Sequence, residues 1–235
     1  MNNFLPSPFE WCAVSPGDVV LTNIEDPFNV AAFDMAKYPI TNAQFQVFVD
    51  AEDGYSNADW WNFSPAAARW HIGKEPTPIP FPGDDLPRSS VSWYEAVAFC
   101  HWLMAKTGEK IGLPTEQEWQ RAAQGDDSRL YPWGTAYDRL LGNTGEAGIK
   151  VSTPVTQYPG GASPYGVMDL CGNTSDWCLN EFNMPDSVSF SGSEIRAIRG
   201  GSWALSQYSA LTNFRGYNYA GDRVNYQGFR LVRHT

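Results

Sequence analysis

An α+β fold with much irregular loop structure is what this chain of 235 residues predicts. Helix-start signals occur at three separated places, and strand-like segments gather near the two ends. Between them the composition is that of ordered loops: ten Trp, eleven Tyr and thirteen Phe stand beside seventeen Pro and twenty-one Gly. Large rings pinning turn-rich backbone leave modest regular structure. No linker, long charge run, low-complexity tract or internal repeat divides the chain, so a single domain over 1–235 is expected.

The elements follow in order. Segments 18–23 and 30–35 read as strands able to pair as a hairpin. Thr41 with Gln44, Ser92 with Glu95 and Thr115 with Glu118 are capping boxes, in which the hydroxyl accepts a backbone N–H and the longer side chain reaches back. They predict helices over about 42–51, 93–106 and 116–123. Phe45, Phe48 and Val49 would face inward on the first, and Val97, Cys100, Leu103 and Met104 on the second. Gly108 and Gly125 stop the second and third. From 125 to 194 turns dominate, and segments 195–202 and 228–234 alternate as strands.

Charge and cysteine usage narrow the function. A net charge of −10 argues against nucleic acid and against an anionic membrane surface, since both need clustered Lys and Arg. No window approaches the apolar length of a membrane span, so no insertion is expected. The start, MNNFLPSPFEWCAV, shows no basic and then apolar signal peptide. That leaves the cytoplasm, a phage particle or surface display by another route. Cys12, Cys100, Cys171 and Cys178 form no CxxC pair, and His71, His101 and His234 form no HxxxH. Buried free thiols are the plain reading.

The most informative stretch runs from Arg199 to Arg233. Between Ala204 and Gln227 it contains no Lys, Glu or Met, but many Tyr, Asn, Ser, Gly and Ala. That is the composition of an antibody paratope, where Tyr supplies contact area at low entropic cost and small polar residues supply adaptable hydrogen bonds. The competing reading is that these rings fill small cores between loops. Trp60, Trp61 and Trp70 border either a binding face or, as expected here, a loop anchored by its indoles.

Seven motifs occur in a recognisable series. They are Tyr38-Pro39-Ile40-Thr41-Asn42, Val91-Ser92-Trp93-Tyr94-Glu95-Ala96, Leu113-Pro114-Thr115-Glu116-Gln117-Glu118-Trp119, Tyr131-Pro132-Trp133-Gly134, Gly166-Val167-Met168-Asp169-Leu170-Cys171-Gly172-Asn173-Thr174-Ser175-Asp176-Trp177, Arg199-Gly200-Gly201-Ser202-Trp203 and Gly228-Phe229-Arg230-Leu231. The series resembles the formylglycine-generating-enzyme (sulfatase-modifying factor) family over about residues 10–233. The resemblance implies an elaborated C-type-lectin-like fold whose terminal strands pair. Catalytic members use a cysteine pair after the Arg-Gly-Gly-Ser motif, and no cysteine follows Cys178 here; Thr212 stands about where the second would fall. Copper is therefore not expected, for want of soft thiolates, and iron is not expected, for want of a histidine cluster.

The C-terminal segment is most similar to the variable proteins of diversity-generating retroelements, which use this fold to display rewritten surface residues. By that resemblance Trp203, Arg215, Arg223 and Gly228-Phe229-Arg230 are scaffold. The ligand-binding positions are Ala204, Leu205, Ser206, Tyr208, Ser209, Phe214, Gly216, Tyr217, Asn218, Tyr219, Asp222, Val224, Asn225 and Tyr226. Each is reachable from an Asn codon by changing adenines alone; Leu211, Asn213 and Gly221 depart from the pattern. The implied partner is an unknown protein or glycan ligand. The alternatives are a formylglycine-generating or other sulfatase-modifying-type oxidoreductase and an undiversified accessory domain. The family also implies a structural Ca²⁺ held by Asp169, the Gly172 and Thr174 carbonyls and Asp176, against a plain hydrogen-bonded turn. A second site would use Asn143, the Thr144 carbonyl and Glu146.

Overall fold

Each capping box opens a helix. In the computed structural model, which describes residues 4–127, 129–191 and 195–234, Thr41, Ser92 and Thr115 each accept the backbone N–H three residues on. Gln44, Glu95 and Glu118 reach back to the cap N–H. This satisfies amides otherwise orphaned at a helix start. In chain order the strands are β1 (Trp11–Val14), β2 (Gly17–Val19), β3 (Phe28–Val30), β4 (Phe33–Ala36), β5 (Lys110–Gly112), β6 (Ser175–Glu181), β7 (Ile195–Arg199), β8 (Gly216–Tyr219), β9 (Gln227–Gly228) and β10 (Val232–His234). The α-helices are α1 (Asn42–Asp50), α2 (Pro65–His71), α3 (Trp93–Thr107) and α4 (Glu116–Gln124).

The terminal strands pair as expected. One sheet has the order β1-β4-β10-β5, with Val232 opposite Met35 on one side and Gly112 on the other. A second has the order β8-β7-β6-β9 and carries the C-terminal segment. The hairpin expected from 18–23 and 30–35 forms differently. β2 pairs with β3, Gly17 opposite Val30, and the chain from Phe33 leaves for the first sheet. Segment 228–234 is likewise split, because Arg230 is fully buried and interrupts it between β9 and β10.

The sequence does not predict strands β1, β5, β6 and β8 or helix α2. β6 lies in the region read as turns; nearly all its residues are buried, so it has no in–out alternation to find. Helix α2 is only seven residues long, starting at the Ser64 cap with Pro65 behind it.

Helix α3 is buried on nearly every side and centres the core. Phe99 lies between Phe45, Phe48, Trp102 and Phe229, with ring centroids 5.4 to 5.8 Å away. Met104, expected inward, is 38% exposed, one position past the stripe of Val97, Cys100 and Leu103. Helix α4 is buried although its residues are mostly polar. Its side chains fasten loops: Gln120 donates to the Val20 carbonyl, Arg121 to those of Ser15 and Pro16, and Gln117 to that of Pro185. Among the described residues no helix is long and apolar enough to cross a membrane.

Removing the Phe99 ring leaves a cavity that these neighbours cannot fill by small shifts. Phe99→Ala is expected to lower unfolding free energy by about 3–5 kcal/mol in urea titration, without changing the helix content of the folded state.

Candidate recognition surface

The segment after β7 begins with a turn that only glycine fits. Gly200 and Gly201 have φ of 91° and 65°. A Cβ on Gly201 would lie 2.9 Å from that of Ala210. The chain then runs through a 3-10 turn at Gln207–Ala210, the edge strand β8 and a turn into β9.

None of the fourteen expected ligand-binding positions is buried. Ala204, Ser206, Tyr208, Phe214, Tyr217, Tyr219, Asp222 and Asn225 are exposed; Leu205, Ser209, Gly216, Asn218, Val224 and Tyr226 are half-buried. Tyr208 is 66% exposed, Tyr217 55% and Tyr219 54%. The buried residues of this stretch are Ala210, Thr212, Ala220 and Gln227, all outside the expected set. Tyr217 rests on Phe182, ring centroids 4.9 Å apart, and Tyr226 meets the edge of Trp203 at 6.3 Å.

The scaffold arginines explain how such a surface keeps its shape. Glu116, the first residue of α4 and fully buried, accepts from Arg215 Nε at 2.6 Å and from Arg199 Nη1 at 3.3 Å. Burial pulls the Arg199 guanidinium down, and Glu116 opposes that pull. Glu95, the capping carboxylate of α3, accepts from Arg223 at 2.8 and 2.9 Å and from the Tyr55 hydroxyl at 3.0 Å. Both carboxylates sit at helix starts, where the dipole favours negative charge. Backbone bonds complete the attachment: Trp93 N–H donates to the Ala220 carbonyl and Ser90 N–H to that of Val224. The carboxylate of Glu146, named above for a second calcium site, accepts from Gln207 N–H at 2.9 Å.

Trp70 shows why Gly221 departs from the variable pattern. Its indole Nε1 lies 2.9 Å from where a Gly221 Cβ would be, and the Arg223 guanidinium lies over its ring at 4.8 Å. Trp61 is buried and stacks on His71 at 4.0 Å, and Trp60 donates to the Asp53 carbonyl. The indoles anchor this loop, as expected, and Trp70 also borders the C-terminal segment at Gly221.

The thiols do not suit a soft metal such as copper. Cys100, Cys171 and Cys178 are buried and Cys12 half-buried, and desolvation raises all four thiols away from the thiolate a soft metal needs. Thr212 is buried and donates its hydroxyl to the Arg129 carbonyl.

The expected calcium turn is more accommodating. Asp169 and Asp176 are both buried near Arg230, whose Nε donates to Asp176 Oδ2 at 2.6 Å and whose Nη2 donates to the Asp169 carbonyl. Burial is the main cause that pushes Asp169 up to about 7 and raises Asp176. Asp176 Oδ1 is buried with no hydrogen-bond partner. The guanidinium meets the carboxylate of Asp176 alone, the Asp169 carboxylate accepts from Asn173 Nδ2 at 2.8 Å, and an orphaned Asp176 oxygen is left over. That donor set fits a hard cation.

A family model described as sulfatase-modifying factor enzyme 1-like domain matches residues 8–235. The hercynine oxygenase of Mycobacterium tuberculosis is 30% identical over 237 residues, covering 87% of this chain and 53% of its own length. The chain thus spans about half the length of such relatives. The formylglycine-generating enzyme of Bos taurus is 27% identical over 255 residues, covering 86% of this chain and 66% of its own. Among solved structures, Treponema denticola variable protein 1 superposes with a TM-score of 0.71 at 19% identity, covering 97% of this chain and 95% of that one. This last likeness is one of fold.

Neutralising a buried helix-start carboxylate strands its arginine. Glu116→Gln and Glu95→Gln are each expected to cost about 3–5 kcal/mol in chemical denaturation. Amide exchange should rise first in 204–226 rather than in α3.

Proposed function

Because the chain belongs to the sulfatase-modifying factor enzyme 1-like domain family but carries no cysteine after Cys178, we propose that it is a non-catalytic, ligand-binding display protein. Residues 204–226 form its recognition surface, of the kind that diversity-generating retroelements rewrite. The observation that carries this reading is the division of labour within one segment. Every position expected to vary is accessible, while the residues that hold the backbone are buried or paired.

Such a surface binds through Tyr208, Tyr217, Tyr219 and Phe214 as contact area, with Asn218, Asp222 and Asn225 supplying polar selectivity. A protein is the favoured partner, a glycan the second. The fold likeness to a variable protein supports the reading, and the lack of a cysteine after Cys178 weighs against formylglycine generation. An undiversified accessory domain is distinguished at the DNA level. A neighbouring near-copy of the 204–226 coding segment, differing only at adenines, is expected beside a reverse-transcriptase gene; uniform sequence across close strains contradicts diversification.

In the same reading a calcium ion is held by Asp169, the Gly172 and Thr174 carbonyls and Asp176. Its role is structural: it neutralises the surplus carboxylate beneath the display segment.

Two measurements test the proposal. The combined variant Tyr208→Ala, Tyr219→Ala should keep its unfolding free energy within about 1 kcal/mol of the native value, since exposed side chains away from packing contribute little. A cysteine peptide from a sulfatase, incubated with the protein and copper, should gain no formylglycine; robust turnover contradicts the reading. The calcium proposal has a pH signature. A raised carboxylate favours the folded state when protonated, so with chelator present stability should fall as pH rises through about 7. Asp169→Asn should flatten that slope, and added calcium should offset the loss in the native chain only.

A further inference from the structure

A second site lies away from the display segment. Between α3 and the edge strand β5 is a cavity of about 320 Å³, walled by Val97, Met104, Ile111, Leu113, Leu179 and Phe190. None of its lining residues belongs to 204–226. Its size and apolar walls are those of a small-molecule pocket with a few polar groups to orient the ligand.

Those polar groups are His101, Lys110 and His234. The chain carries 26 acidic residues against 16 basic ones, yet among the described residues no carboxylate lines this cavity. The Lys110 ammonium has no ion pair or hydrogen bond among the described residues, and its side chain is exposed at the rim. His234 is already committed, its Nε2 2.6 Å from Glu118 Oε1. His101 stands edge-on to Phe63 at 5.3 Å and to Phe190 at 5.7 Å, with no hydrogen-bond partner among the described residues. Burial lowers its pKa, so the ring is neutral at neutral pH and keeps one N–H to donate. One uncommitted cation and one uncommitted donor beside an apolar hole complement an anion with a hydrocarbon tail.

We propose that this cavity binds a medium-chain aliphatic carboxylate, its alkyl chain among Val97, Ile111, Leu113 and Phe190 and its carboxylate against Lys110 and His101. The site is independent of the display surface. Apolar burial supplies most of the affinity, at about 0.8 kcal/mol for each buried methylene. The charge pair selects the acid over the alcohol.

Isothermal titration calorimetry of the full chain with decanoate tests this, with decanol as the uncharged control. Saturable binding of one decanoate is expected. Lys110→Glu and Met104→Glu, both at exposed positions where folding should survive, should each weaken it by about tenfold or more. Decanol should bind native protein and Lys110→Glu alike. Absence of saturable decanoate binding by the native chain overturns the proposal, as does decanoate affinity unchanged in both variants or an equal loss of decanol and decanoate binding in Lys110→Glu.

Discussion

A buried carboxylate at the start of a helix holds the C-terminal segment in place, and it does so twice. Glu116 gathers Arg199 and Arg215, and Glu95 gathers Arg223 together with Tyr55 and its own cap. Taking such charges out of water is costly, and a buried pair contributes little net stability compared with apolar residues of the same shape. What it supplies is position. A guanidinium has a rigid fork, so two or three donors meeting one carboxylate leave few alternative placements for the attached backbone. The third carboxylate–guanidinium contact, Asp176 with Arg230, does the same for the strand that returns to the first sheet.

With position set from behind, the front of the segment is released from structural duty. Of its exposed rings Tyr217 rests on Phe182, and the residues that are fully buried are small or polar: Ala210, Thr212, Ala220 and Gln227. Trp70 extends the same principle sideways. Its indole leaves no room for a side chain at Gly221, although the two lie far apart in the chain. Membership of a family that includes enzymes is compatible with this arrangement, because a fold fixes where loops go and the residues on those loops set the chemistry.

Much of this was legible beforehand. The capping boxes placed three helices within a residue or so, because a cap is a local interaction between neighbours in sequence. The accessibility of the fourteen C-terminal positions agrees with what composition and register predict. The central strand β6 was not: burial on both faces removes the alternation by which a strand is recognised. Nor was the splitting of 30–35 and 228–234, since where a short strand stops depends on which sheet has room for the next residue. Met104 went astray at the end of a helix whose apolar stripe is broad enough to allow one residue too many.

The sequence by itself determined the family of the fold, the helix starts and the chemical character of the C-terminal surface, all of which rest on local pattern and on residue order. Which carboxylate meets which arginine, why Gly221 stays glycine and where an uncommitted lysine borders an apolar hole were decided only by tertiary structure. Those facts depend on groups tens to over a hundred residues apart coming within bonding distance, and no local pattern encodes that distance.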